Sequence, residues 1–363
     1  ANYALARYLA DRGAEVHLVA HRISEPLAAH ARVRCHLVPR TLGSHFLGQF
    51  GLDRAGRAVA RSVLDREPRA RIVVNGGNCR WPDIGWVHMV HQACVGADSG
   101  APWSFRMKNR CVRWHSRMRE RAVLGRCRML FANSERTRRD LIERLHIPGS
   151  LIQVAYLGTD PSSFGPVTEA ERSQARGRFG IAADALVTAF VGALGYDANK
   201  GMDTLLSVWG EWTRRQSGQT VLLAAGGGAL PYWRKMAGTL GLAGAVQWLG
   251  LTGNVPEVLA AADFLVSPSR YDAYGLNVQE ALCRGVPAIV SACAGVVERY
   301  PPELAGLLVK NPEDAGELLQ RMLDWHARRK ELQPHVAALG AQLRAYTWDD
   351  MAARMVACAE GVA

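Results

Sequence analysis

Residues Ser267–Ser291 read SPSRYDAYGLNVQEALCRGVPAIVS, a polar turn, a helix and a strand in sequence. Just ahead, Phe264–Val266 is a short apolar run of strand type. After a polar turn a helix starts from Asn277, and Gly285-Val286-Pro287 leads into a second strand, Ala288–Ser291. Strand, helix, strand is one unit of a parallel sheet, because parallel neighbours need a crossover connection. Two acids, Asp272 and Glu280, eight positions apart, bracket the strand-to-helix turn, at the edge of the sheet where open α/β folds bind ligands. Glu280 sits among Val278, Ala281 and Leu282, where a solvated charge is out of place. A ligand-binding carboxylate is expected, with a buried structural acid as the alternative. Asp272 has an equal claim to a backbone role, as aspartates in turns often do.

The same alternation extends outward. Upstream come strand Leu186–Val191, a helix from Lys200, strand Thr220–Ala225, a helix from Pro231, strand Ala245–Leu249 and a helix from Val255. Before these, Tyr156–Thr168 (YLGTDPSSFGPVT) lapses into Gly, Pro and Ser and marks a domain boundary. A further alternating set precedes it: strands at Glu15–Ala20, Val33–Val38, Arg71–Asn75, Gly85–His91 and Arg128–Asn133. Two doubly wound α/β domains are therefore expected, 1–160 and 161–347. Residues 348–363 form a closing helix, with Met351, Met355 and Cys358 along one face, expected to pack back on the first domain. The chain enters the first domain directly at a helix, Asn2–Arg12, stopped by Gly13. The expectation is that a first strand and its glycine turn are missing ahead of it.

A chain of 363 residues suits two such domains. With 48% apolar and 21% charged residues it is unlike a disordered chain, and no apolar run is long enough to span a membrane. The net charge of +11 is uneven: residues 1–160 hold 26 Lys and Arg against 13 Asp and Glu, and the remainder is nearly balanced. The excess of Arg over Lys, with much Ala and Gly, fits a GC-rich bacterial source. None of the eight cysteines forms a CxxC pair or metal-ligand spacing with histidine, so buried free thiols in a reducing compartment are expected, and no metal.

Phe190–Gly201 (FVGALGYDANKG) runs strand, glycine turn and Lys200-Gly201 at a helix start, which suits a phosphate. It is not a Walker loop, since Met202 follows Gly201. Taken with FANSERTRRDLIERLHIP (Phe131–Pro148), YLGTD (Tyr156–Asp160), VLLAAGGGA (Val221–Ala229), VQWLG (Val246–Gly250) and the AADFLVSPS run, these residues resemble family 4 glycosyltransferases. That family has the GT-B architecture, two Rossmann-like doubly wound domains facing a cleft. Asp272 and Glu280 resemble its Glu-x7-Glu signature.

The resemblance implies a hexosyltransferase-type enzyme that moves a sugar from a nucleotide-diphosphate sugar with retention of configuration. No cofactor or metal is expected beyond the donor substrate. Lys200 would neutralise the diphosphate, and Gly192 and Gly226 would line its loop. The amides of Tyr274, Gly275 and Leu276 would contact the sugar and phosphate, Glu280 would accept the ribose hydroxyls, and Asp272 would lie near the anomeric carbon. Val246–Leu249 would border the base. Relatives often carry an arginine where this chain has Ala193, and their loop to the lysine is shorter; Arg270 is the candidate substitute cation. Asp272 replaces a glutamate and draws its carboxylate back by about 1.5 Å, one C–C bond. Altered sugar preference is expected from that change.

In the first domain WVHMVHQA (Trp86–Ala93) ends a strand with His88 and His91, and relatives place a histidine there near the transferred sugar. Strand alternation puts the two on opposite faces, and His91, nearer the C-terminal end, is preferred. Between Ala101 and Arg128 nine Lys and Arg accompany one acid, Glu120. Met107, Cys111, Trp114, Met118 and Ala122 share one helical face, with Arg106, Arg110, Arg113, Arg117 and Arg121 on the adjoining one. The helix 104–126 is either a contact for anionic lipid or an ordinary domain helix with a solvated basic side. Sparse aromatics and no recognition motif argue against nucleic acid. The partners expected are a nucleotide-sugar donor and a glycan or lipid-linked acceptor, at the inner face of the cytoplasmic membrane. The competing readings are a nicotinamide dehydrogenase, which lacks G-x-G-x-x-G, a sugar-nucleotide epimerase of the same fold, and a non-catalytic nucleotide-sugar-binding or membrane scaffold protein.

Overall fold

The computed structural model describes residues 1–40, 43, 45–94 and 100–361. The chain divides into two compact units, one of Ala1–Cys94, Trp103–Gly158 and Thr347–Ala363, the other of Val95–Pro102 and Thr159–Tyr346.

The first unit opens with α1 (Asn2–Asp11), which buries Ala4, Leu5, Tyr8 and Ala10 and ends at Gly13, φ +86°. Then follow β1 (Val16–Ala20), α2 (Glu25–Ala28), β2 (Val33–Leu37), α3 (His45–Leu64), β3 (Val73–Asn75), β4 (Ile84–Val87), α4 (Trp103–Leu124), β5 (Met129–Ala132), α5 (Glu135–Leu145) and β6 (Ile152–Val154). The strands form two parallel sheets, β1–β2 and β3–β4–β5–β6, rather than one continuous doubly wound sheet. Fully buried strands β4 and β5 carry the core, where Val87, Leu130 and Ala132 pack with Val123, Leu124, Leu141 and Ile152. β4 stops at Val87, so the strand expected to run to His91 is shorter.

The second unit holds α6 (Glu169–Phe179), β7 (Leu186–Val191), α7 (Met202–Arg214), β8 (Thr220–Ala225), α8 (Leu230–Thr239), β9 (Val246–Gly250), α9 (Val255–Ala261), β10 (Phe264–Ser267), α10 (Leu276–Cys283), β11 (Ala288–Ser291), β12 (Leu308–Val309) and α11 (Ala315–Arg344). Its six strands are parallel in the order β12-β11-β10-β7-β8-β9. The chain leaves β7 toward β8 and β9 on one side and returns on the other through β10. That reversal is the topological switch point, where adjacent loops diverge and leave room for a ligand. The central strands are apolar apart from Thr188 and Ser267 because helices cover both faces, and Phe190, Trp209, Trp212, Trp233 and Phe264 are buried. α12 (Trp348–Glu360) returns to the first unit, where it packs on α1 and buries Met351 and Met355.

One sequence expectation is corrected, and one left open is narrowed. All eight cysteines are free, but only Cys127 and Cys283 are buried, and Cys35 and Cys111 are exposed. On α4, the residues that reach the core are Glu120, Val123 and Leu124, while Trp103, Met107, Cys111, Trp114 and Met118 face solvent. The stripe that periodicity picked out is thus not the helix's packing face. Among the described residues no helix is long and apolar enough to cross a membrane.

Candidate functional site

The loops that follow β7, β8 and β10 meet backbone to backbone at the switch point. A Cβ on Gly226 (φ +157°) would stand 1.7 Å from the Gly192 carbonyl oxygen, and one on Gly201 (φ +73°) would stand 2.1 Å from that of Pro268. Only glycine permits either approach. The Lys200 side chain then runs over Gly192, its Cγ 3.4 Å from where a Cβ would be.

Lys200 Nζ donates to Asp272 Oδ2 at 2.5 Å, and the pair is mostly but not fully buried. The two loops are laced further: Arg270 N donates to Asn199 O at 2.8 Å, and Asn199 Nδ2 to Tyr271 O at 3.0 Å. Arg270 forms a fork to Asp203 at 2.9 and 2.8 Å and also donates to Glu313 Oε1 and Ala198 O. Its guanidinium is therefore committed to protein acceptors, which opposes its expected use as a replacement phosphate cation. Lys200 is left as the cation of the loop.

Helix α10 begins beyond Asp272 with Gly275 as N-cap in the left-handed conformation. Its first amides, Leu276 and Asn277, have no intrahelical acceptor by the geometry of a helix start and aim partial positive charge outward. Tyr274 is buried, its hydroxyl on Gln279, which donates in turn to Thr159 Oγ1 at 3.0 Å. Asn277 Nδ2 ties the helix to Val191 O at 2.8 Å, at the end of β7. Glu280 lies one turn in. It is half-buried, and among the described residues no hydrogen bond or ion pair holds it. Burial without compensation raises its carboxyl to about 7. An acid kept in such a place without a protein donor is a ready acceptor for ligand hydroxyls.

Val246 does not belong to this group. It opens β9, buried beside Leu222, at the end of the sheet away from Lys200, so the part of VQWLG that reaches the switch-point edge is Gly250. Gly226 N donates to Gly250 O at 2.8 Å, and Leu251 is 88% exposed beside Gly227. A groove of about 850 Å³ lined by Arg172, Arg176, Asp263 and Arg329 lies where the strands begin, again the opposite end. Its Arg172 and Arg176 are spent on Asp263.

In the first unit His88 and His91 both follow β4 instead of alternating along it. His88 Nε2 donates to Asn75 Oδ1 at 3.2 Å, the ring lies against Trp86, and burial depresses the imidazole to about 4. His91 is more open, 42% exposed in its side chain, with Nδ1 3.3 Å from Glu120 Oε1. Glu120 is buried and also accepts from His91 N at 2.8 Å and Gln92 N at 3.1 Å.

The halves of the chain match two family models: residues 2–163 that of "Glycosyltransferase Family 4", and residues 185–327 that of "Glycosyl transferases group 1". The chain belongs to glycosyltransferase family 4. It is 26% identical over 228 residues to alpha-D-kanosaminyltransferase of Streptomyces kanamyceticus, a match covering 61% of this chain and 58% of that one. The chain thus spans little more than half the length of the curated relatives it matches first. Sucrose-phosphate synthase from Thermosynechococcus elongatus superposes with a TM-score of 0.74 at 21% identity, over 99% of this chain and 91% of that one. An Anabaena protein solved with UDP-glucose gives 0.69 at 15% identity, over 99% and 95%. The shared fold is GT-B.

For a family 4 member, the sequence reading brought Gly192, Lys200, Gly226, Asp272, Gly275, Leu276 and Glu280 to one edge of one sheet. It missed Asn277, whose amide side chain fastens α10 to β7, although an asparagine at the start of an apolar helix was visible. It also missed Leu251, just past VQWLG. Nothing in the sequence foretold the Arg270–Asp203 fork, which joins residues 67 positions apart.

Proposed function

We propose that the second unit binds a nucleotide-diphosphate sugar and that the protein transfers the sugar, with retention of configuration, to a glycan or lipid-linked acceptor in a bacterial cell. The observation that carries the reading is Glu280: a half-buried carboxylate with no partner among the described residues, raised to about 7 by burial, one turn behind the head of α10, the helix that follows Asp272 and its bound Lys200. The donor set suits the ligand. The ribose hydroxyls donate to Glu280, and the diphosphate meets Lys200 and the amides of Leu276 and Asn277. Asp272 holds Lys200 until phosphate competes for it.

In the transfer the anomeric carbon's bond to phosphate breaks, a bond to the acceptor oxygen forms, and the acceptor proton leaves with the diphosphate. Charge grows on the leaving diphosphate, where a fixed cation and helix amides stabilise it without reorganising. No metal ligand is required of the chain for this. His91 is proposed to act on the transferred sugar. The basic balance of residues 1–160 favours an acceptor with negative charge, met at the inner face of the cytoplasmic membrane.

Thermal unfolding against UDP-, GDP- and ADP-sugars tests the donor. The matching nucleotide at about 100 Kd should stabilise the protein by about 2.7 kcal/mol. Absence of a shift with every nucleotide would remove the reading, and inversion in the product's anomeric NMR signal would remove retention.

A further inference from the structure

We propose that α4 lies along an anionic lipid bilayer, its apolar stripe in the headgroup boundary and its flanking cations on the lipid phosphates. The inference is independent of the donor site, because it rests on the first unit alone.

At 3.6 residues per turn, Trp103, Met107, Cys111, Trp114 and Met118 fall within roughly 80° of the helix circumference. The residues that pack inward, Glu120, Val123 and Leu124, lie on the other side. The stripe is open to solvent: Trp103 is 73% exposed, Met107 53%, Trp114 66% and Met118 50%. From α3, Phe50 extends it, 52% exposed and with its ring 5.4 Å from that of His115. Leaving two tryptophans and two methionines in water on one helix is unfavourable, and such a patch marks an interaction surface.

The charge beside it selects the occupant. Arg106, Lys108, Arg110 and Arg121 are exposed, and the one acid of the helix, Glu120, is buried on the inner face. Arg117 and Arg119 are turned inward to the carbonyls of His91, Cys94, Gly77 and Asn78, so they are structural and not available. Tryptophan with arginine around an apolar strip, without any acid, complements a surface that is apolar below and anionic above. A second protein chain would need carboxylates facing Arg106 and Arg110. A 22-residue helix is about 33 Å long and can lie flat on such a surface.

Co-sedimentation of the full chain with vesicles tests this. Binding is expected to phosphatidylcholine vesicles that contain phosphatidylglycerol, and little to phosphatidylcholine alone. It should weaken as salt rises from 0.1 to 1 M, where the screening length drops from about 10 to about 3 Å. Replacing Arg106 and Arg110 by Gln should cost about 25-fold, at about fivefold per cation. Trp103→Ser with Trp114→Ser should abolish binding while the melting temperature and nucleotide affinity stay unchanged, since these side chains are mostly exposed and lie outside the core. Equal binding to both vesicles, binding to neither, or a dimer that dissociates in the Trp114→Ser variant would overturn the proposal.

Discussion

Glu120 and Glu280 are both glutamates drawn out of solvent on helices, Glu120 among arginines and Glu280 among apolar residues, and the chain treats them oppositely. Glu120 has its oxygens filled by two backbone amides and an imidazole, so the His91–Gln92 turn is built around it. Glu280 receives no hydrogen bond or ion pair among the described residues, and burial raises its carboxyl to about 7. A buried acid that is satisfied holds a fold together. A half-buried acid left unsatisfied costs stability and is kept for a ligand.

The comparison is broken most sharply by exchanging the two roles. Glu280→Gln removes the charged acceptor for donor hydroxyls. Hydrogen bonds to charge are worth about 1.5–3 kcal/mol each, so kcat/KM should fall at least 100-fold with two of them lost, measured by steady-state transfer. Its melting temperature should hold or rise, because an uncompensated charge has been removed.

Glu120→Ala should do the reverse. Two amides lose their acceptor at about 1–3 kcal/mol each, and calorimetry should show the first unit melting about 5–15 °C lower. Nucleotide affinity in the second unit should not change.

A smaller effect follows from titration. Glu280 is raised above its unfolded value of 4.5 to about 7, so the folded state holds the proton more tightly. Its contribution favours folding at low pH and is lost as pH rises from 4.5 through about 7. Donor binding needs the carboxylate and should strengthen over the same upper range, by up to about tenfold between pH 6 and 8. The Glu280→Gln variant should give a flat profile. His88 runs the other way: depressed from 6.5 to about 4, it subtracts stability as pH falls through that interval, and His88→Asn should flatten acid unfolding there.

Much of the second unit was legible because its strands are bounded by glycine turns and its helices begin beside them. Leu186–Val191, Thr220–Ala225 and Ala288–Ser291 are strands where the pattern puts them. Val246 was misplaced because an apolar run shows that a strand exists but not which of its ends the ligand meets. α11 was unassigned: it is 30 residues long with Pro334 inside, where a proline ordinarily marks a break. On α4 two apolar sets compete, Met107–Trp114–Met118 and Val112–Val123–Leu124, and periodicity cannot say which meets the core. The His88–His91 alternation failed because the backbone turns after Val87, with Ala93 N donating to Val90 O at 3.0 Å. Pairings such as Lys200 with Asp272 need the fold, since 72 residues separate them.

Calorimetric titration of nucleoside diphosphates at pH 8 into the native chain, Glu280→Gln and Glu120→Gln separates the two glutamates. One nucleotide should bind the native chain, Glu280→Gln should weaken it at least tenfold with an intact melting transition, and Glu120→Gln should leave it unchanged. Equal affinity in the native chain and Glu280→Gln would show that the unpartnered carboxylate is not the nucleotide's acceptor.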